Sequence, residues 1–135
     1  AEGGTPMSES WKPTDYPSLS PYLVCHDPEG TISFLQTVFH AHLLRRYDHQ
    51  DGSLMHAEVR IDDSIIMIGG LPDADDNDAH VHLYVPDVQA TFDRAVAAGG
   101  EIIQEPLRKR GSDDIRGGIK GPSGTTWWLA TQTPL

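Results

Sequence analysis

His80, His82 and Tyr84 recur at every second residue, as do His56, Glu58 and Arg60. On extended strands a period of two puts each trio on one face. Imidazole and carboxylate are ligands for divalent metals, and both move protons near neutral pH. His56, Glu58, His80 and His82 therefore have the chemistry of a divalent-metal site, provided the fold brings their two faces together. His80 or His82 with Glu58 would serve equally as a metal-free acid–base set. With neither role, the same side chains become hydrogen-bonding tips in a pocket that binds without turnover. The single cysteine, Cys25, closes a strand-like run from Leu19 and reads as a packed small hydrophobe rather than a nucleophile.

Other polar runs carry less chemistry. Asp73, Asp75, Asp76 and Asp78 lack the glycine and closing glutamate of a calcium loop and read as a solvated connector. Gly69-Gly70 and Gly117-Gly118 are not followed by helices, so they do not cradle phosphate. No Gly-x-Ser-x-Gly elbow is present for a serine hydrolase. Arg108-Lys109-Arg110 reads as a solvated loop, and Asp113 to Gly118 as a mobile surface loop.

The elements that must position these residues follow from periodicity. Leu19 to Cys25 is short and β-compatible, with Pro21 marking an edge or a strand start. Asp27, Pro28 and Glu29 supply a cap, a first-turn proline and an early acid. Ile32, Leu35, Val38 and Phe39 then give one helical stripe over about residues 28–41. Leu43 to His49 and Leu54 to Ile61 flank the hairpin signal Gln50-Asp51-Gly52-Ser53, and Asp62-Asp63 turns into Ser64 to Gly69. The pattern repeats after residues 71–79. His80 to Val85 alternates as a strand, and Asp87 caps a helix bearing Val88, Phe92, Ala95 and Val96. Gly99-Gly100 stops that helix, and strands follow at residues 101–105, 114–120 and 125–131. Tyr22-Leu23-Val24 overlays His82-Leu83-Tyr84, and Asp27 overlays Asp87. Each half is strand, helix, three strands, and a single half buries too little to stand alone.

The 135 residues suit one domain. Residues 1–18 read as a flexible tail in which Trp11 and Tyr16 offer contacts to the domain or to a partner chain. The domain spans residues 19–133, with modules at about 19–70 and 80–132 and the acidic linker 71–79. Two readings stay open for Ala1 to Pro6: native chain, or a remnant ahead of a natural start at Met7. A formal charge of −10 argues against nucleic-acid and anionic-membrane partners. Ile65 to Ile68 is too short to span a bilayer, and no signal-peptide core precedes it. One unpaired cysteine makes the cytoplasm the expected compartment.

The duplicated βαβββ order resembles the vicinal-oxygen-chelate superfamily of glyoxalases, bleomycin-resistance proteins and extradiol dioxygenases. Ser20-Pro21-Tyr22-Leu23-Val24, Met55 to Ile61, His82-Leu83-Tyr84-Val85 and Gly121-Pro122-Ser123-Gly124 before Trp127 are similar to its PhnB-like branch. The resemblance covers residues 19–132. It implies an α+β fold in which two modules form a curved mixed sheet around a central cup. In metal-dependent members of that family, His, Gln or Glu ligands project from the first and fourth strand of each half. Those positions fall near Ser20, near Met67, on His80 and near Trp128, so only His80 fits a ligand. A slip of one residue gives Ile66 or Ile68, and Trp127 or Leu129, which rescues nothing. About three protein ligands are needed for a catalytic divalent metal, so no metal is expected at the usual site.

The expected cup-facing set is Ser20, Tyr22, Val24, Ile65, Met67, His80, His82, Tyr84, Thr126 and Trp128. Tyr22, Met67, His80, His82, Tyr84 and Trp128 are the candidate ligand contacts. Of Trp127 and Trp128, one must face the helices and the other the cup. The leading expectation is a cofactor-free protein binding a small aromatic or cationic molecule, with antibiotic sequestration as one use. The alternatives are a metal-dependent lyase, isomerase or dioxygenase using His56, Glu58, His80 and His82, and a metal-free acid–base enzyme using His80 or His82. The resemblance further implies a homodimer.

Overall fold

A computed structural model of the chain describes residues 11–111 and 113–132. Strand β1 (Tyr22–Cys25) leads into helix α1 (Pro28–Phe39) and strands β2 (His42–Asp48), β3 (Leu54–Ile61) and β4 (Ser64–Gly70). The second half repeats this with β5 (His80–Tyr84), α2 (Val88–Ala97), β6 (Glu101–Leu107), β7 (Ile115–Lys120) and β8 (Thr126–Thr131). The sheet orders are β1-β4-β3-β2 and β5-β8-β7-β6, with the β1–β4 and β5–β8 pairs parallel and the rest antiparallel. This is the expected α+β duplication. Among the described residues no helix is long and apolar enough to cross a membrane.

Local chemistry sets the element ends. Both helices open on an aspartate cap: Asp27 accepts from the Gly30 amide and Asp87 from the Ala90 amide. Helix α1 stops at Phe39, two residues short of its apolar stripe, because His40 takes the left-handed conformation at φ 57° and its amide returns to the Leu35 carbonyl. Strand β1 starts at Tyr22 rather than Leu19. Pro21 has no amide to donate to a ladder, although its carbonyl accepts the Met67 amide. Strand β6 runs on to Leu107, past the expected Glu105, with register irregularities on either side of Gln104.

The acidic linker is more tied down than a solvated connector. Asn77 bonds the Val24 carbonyl and the Thr125 hydroxyl, and Asp76 pairs with His26 and Lys120. The tail is also docked within its described part, where Tyr16 reaches Glu58 and the Arg60 guanidinium donates to the Asp15 carbonyl.

One apolar core spans both halves. The inner faces of the sheets carry Leu23, Ala57, Val59, Ile66, Ile68, Ile119, Trp127 and Leu129, and all of them pack on the two helices. Phe39 of α1 lies 5.4 Å from Trp127 of β8 between ring centroids, so the first helix touches the second sheet. Arg94 of α2 donates twice to the Val38 carbonyl near the end of α1. Thr31 of α1 bonds Ser123 beside the β7–β8 turn. With both inner faces buried on the helices, the outer faces of the two sheets are left open.

Candidate functional site

Cross-strand register defines what each open face presents. In the first sheet Tyr22, Met67, Glu58 and Arg45 lie opposite one another across four strands, and Val24, Gly69, His56 and Tyr47 form the next row. In the second sheet one row is His82, Trp128, Gly118 and Gln104, flanked by His80–Thr126–Lys120 and Tyr84–Ala130–Arg116. All six candidate ligand contacts are therefore on open faces. Of the wider expected set, Ile65 and Thr126 are buried, at 1% and 8% exposure, and present little to a ligand. Ser20 precedes β1. Trp127 is the core member of its pair and Trp128 the outward one, as alternation requires. Cys25 is fully buried, and burial pushes its thiol above the ordinary pKa, against a nucleophilic role.

The second sheet carries a continuous polar lattice over an aromatic floor. Trp128 donates its indole N–H to His80 Nδ1 at 3.0 Å, and the two rings stack at 6.2 Å. Arg116 donates to His82 Nε2 at 3.1 Å, and Asp114 accepts from the Tyr84 hydroxyl at 2.9 Å while pairing with Arg116. Burial, then the neighbouring Arg116 charge, lowers the His82 pKa below its usual 6.5, with Asp114 opposing, so the ring is neutral at physiological pH. A recess of about 130 Å³ opens here, lined by Gln104, Leu107, Lys109, Asp113, Asp114, Arg116 and Trp128. Asp114 and Arg116 thus belong to the start of a strand and its approach rather than to a surface loop.

The first sheet presents a different surface. Tyr22 leans over Gly69 and stacks on His56 at 5.7 Å; Tyr47 approaches the same imidazole at 6.1 Å. His56 pairs with Glu58 at 2.8 Å. Glu58 also accepts from Tyr16 at 2.5 Å and lies 3.7 Å from Arg45. Burial works to raise the Glu58 pKa, but the bonds from Tyr16 and His56 and the Arg45 charge outweigh it, so the carboxylate is held ionised. None of these partners except His56 was legible as part of a site, because the pairing of Tyr16 with Glu58 spans 42 residues.

These donors do not fit the family's metal. Of the four family positions, Met67 lies opposite Tyr22 and Trp128 opposite His82, while Ser20 precedes β1 and His80 lies opposite Thr126. His80 Nδ1 already accepts a hydrogen bond from the Trp128 indole, and His82 Nε2 accepts one from the Arg116 guanidinium, a cation beside the ring. The alternative set is divided, with His56 and Glu58 on one open face and His80 and His82 on the other. Among the described residues no three His, Cys, Asp or Glu side chains converge within one chain.

Two βαβββ modules sharing one helical core and turning their sheet faces outward define the glyoxalase-like class. A family profile for the glyoxalase/bleomycin resistance protein/dioxygenase superfamily matches residues 18–129, and the chain belongs to that superfamily. An uncharacterized protein of Mycobacterium bovis is 32% identical over 131 residues, covering 84% of this chain and 82% of its own. Among solved structures, TioX from Micromonospora sp. ML1 superposes with a TM-score of 0.70 at 23% identity, covering 85% of this chain and 98% of its own. The fosfomycin resistance protein FosX from Listeria monocytogenes gives 0.72 at 17%, over 87% and 94%. A PhnB protein from Bacillus cereus gives 0.67 at 14%, over 85% and 99%. At these identities the likeness to the solved structures is one of fold.

Proposed function

We propose that this protein binds a small planar aromatic ligand, neutral or cationic, without a metal and without turnover, and that sequestering a toxic compound is its use. The observation carrying this is the partly exposed Trp128 ring on an open face, edged by His80, His82, Tyr84 and Gln104. An aromatic floor with a few oriented polar tips is the makeup of a small-molecule pocket, and ring stacking adds to burial there. One ring nitrogen of each imidazole is engaged, His80 Nδ1 by Trp128 and His82 Nε2 by Arg116, which orients both rings toward a ligand. A cation is favoured over an anion by the −10 formal charge. The names of FosX, a fosfomycin resistance protein, and of the superfamily, which includes bleomycin resistance proteins, support antibiotic resistance as the context.

The test is a titration with 9-aminoacridine and bleomycin, read by tryptophan fluorescence in a Trp11→Phe background. Saturable quenching, weakened about fivefold by His80→Ala, is expected if the site lies on this face; ring stacking of about 1 kcal/mol sets that scale. No saturation with a panel of planar cations, together with metal retained after purification, would overturn the reading in favour of a metal-dependent lyase, isomerase or dioxygenase.

A further inference from the structure

The tail reaches the first open face through one side chain. Residues around Tyr16 bury little else. Trp11 is 64% exposed and Leu19 82% exposed, and the segment makes a tight turn in which the Tyr16 amide bonds the Pro13 carbonyl. A segment that leaves its flanking apolar residues in water gains little from docking them. What holds it is the Tyr16 seat, plus one bond from Arg60 to the Asp15 carbonyl.

That seat is a built site. Its floor is Glu58, 6% exposed, charged and held by His56. The Tyr16 hydroxyl donates to Glu58 Oε1, and the Arg45 guanidinium lies over the Tyr16 ring, 5.0 Å from its centroid. Beside it stand Tyr22, stacked on His56, and Tyr47, tilted against the same imidazole. A buried carboxylate selects a hydrogen-bond donor, and the guanidinium above selects an aromatic face. Both demands are met by one chemical group, a hydroxyl carried on a flat ring.

We infer that the Glu58–Arg45 seat is a binding site for hydroxyaryl ligands, and that Tyr16 is a tethered stand-in which such a ligand must displace. The inference deepens the ligand-binding reading above and rests on the open faces being ligand surfaces. Tyr16 competes as an intramolecular ligand, with an effective concentration set by its short tether. Removing its ring therefore opens the seat and raises apparent affinity for a free phenol. Replacing Glu58 removes the acceptor and lowers that affinity.

The probe is p-cresol, the tyrosine side chain detached from its backbone, with 4-methylanisole as the ring that cannot donate. Binding is read by amide NMR shifts of the full chain at Arg45, His56 and Glu58. The Tyr16→Ala variant is expected to saturate with p-cresol at about tenfold lower concentration than wild type, the scale a tethered competitor sets. The same variant should bind 4-methylanisole much more weakly, and adding Glu58→Ala, which removes the acceptor, should abolish the cresol response. Equal p-cresol affinity in wild type and variant, equal response to both probes, or shifts confined to other residues would each overturn the inference. Should Tyr16→Ala lose its fold, Tyr16→Phe is expected to raise cresol affinity by less, since it frees the carboxylate but leaves the tethered ring under Arg45. Acridine quenching is read at Trp128 rather than at the seat residues, so a seat that takes no cresol while quenching is retained overturns this inference and leaves the ligand-binding reading standing.

Discussion

His82 shows how a neighbour, rather than a residue type, decides what a side chain can do. Its Nε2 accepts a bond from Arg116, and burial and that charge lower its pKa below 6.5. The unfolded chain therefore binds a proton near pH 6.5 that the folded chain refuses. Any stability tied to neutral His82 is complete above 6.5 and is lost as pH falls from there through the lower folded-state value. Ring NMR titration should give a His82 midpoint under 6.5, and Arg116→Gln should move it upward. A wild-type midpoint at or above 6.5 would contradict the arrangement. Sequence alone put His80, His82, Tyr84, Tyr22, Met67 and Trp128 on the correct faces, because a period of two needs no tertiary information. It could not find Tyr16, Arg45, Asp114 or Arg116 as site partners. Their roles arise from contacts across sheets and turns, and charged residues near strand ends look the same in sequence whether they pair or point into water.

At the scale of elements, the two aspartate caps are the cleanest local signals. Asp27→Ala and Asp87→Ala each remove the acceptor of one helix-end amide, and each should cost about 1 kcal/mol in urea unfolding. The Asp27 backbone amide also bonds the Ser123 hydroxyl and ties α1 to the second module, a bond that Asp27→Ala leaves in place. Helices, hairpins and the duplication were legible because apolar spacing is set by local geometry. Boundaries were less so. The left-handed turn at His40 ends α1 inside its own apolar stripe, and a non-glycine residue there leaves no mark in the sequence. The open-face glycines were equally hidden. Gly118 lies opposite Trp128, and a Cβ there would come within 2.5 Å of the indole ring. Gly118→Ala should therefore tilt Trp128 off the face and weaken acridine binding while the fold survives. Unchanged affinity, with the variant shown folded by NMR dispersion, would remove Trp128 from the site.

At the scale of the whole molecule, each chain presents two open sheet faces that, among the described residues, do not close on each other. Both sheets spend their inner faces on one helical core, and among the described residues no hydrogen bond, ion pair or ring contact directly joins one open face to the other. Tyr22 at 55% and Tyr84 at 61% exposure leave aromatic surface in water on both faces. Exposed apolar surface of this kind marks an interaction face, and a two-fold pair is the simplest closed arrangement that covers two different faces at once. A cup would then be made from the first sheet of one copy and the second sheet of its partner. Light scattering should give about twice the 14.8 kDa chain mass. Mass alone does not show that the cup is shared, so two variants are needed. Tyr22→Ala damages one face and Trp128→Ala the other, and each homodimer should bind 9-aminoacridine poorly. Refolded together in equal amounts, half of the dimers contain one of each chain. In such a pair one cup carries both substitutions and the other carries none, so about a quarter of wild-type sites should return at full affinity. If each cup were built within one chain, every site in the mixture would keep its defect and no full-affinity fraction would appear.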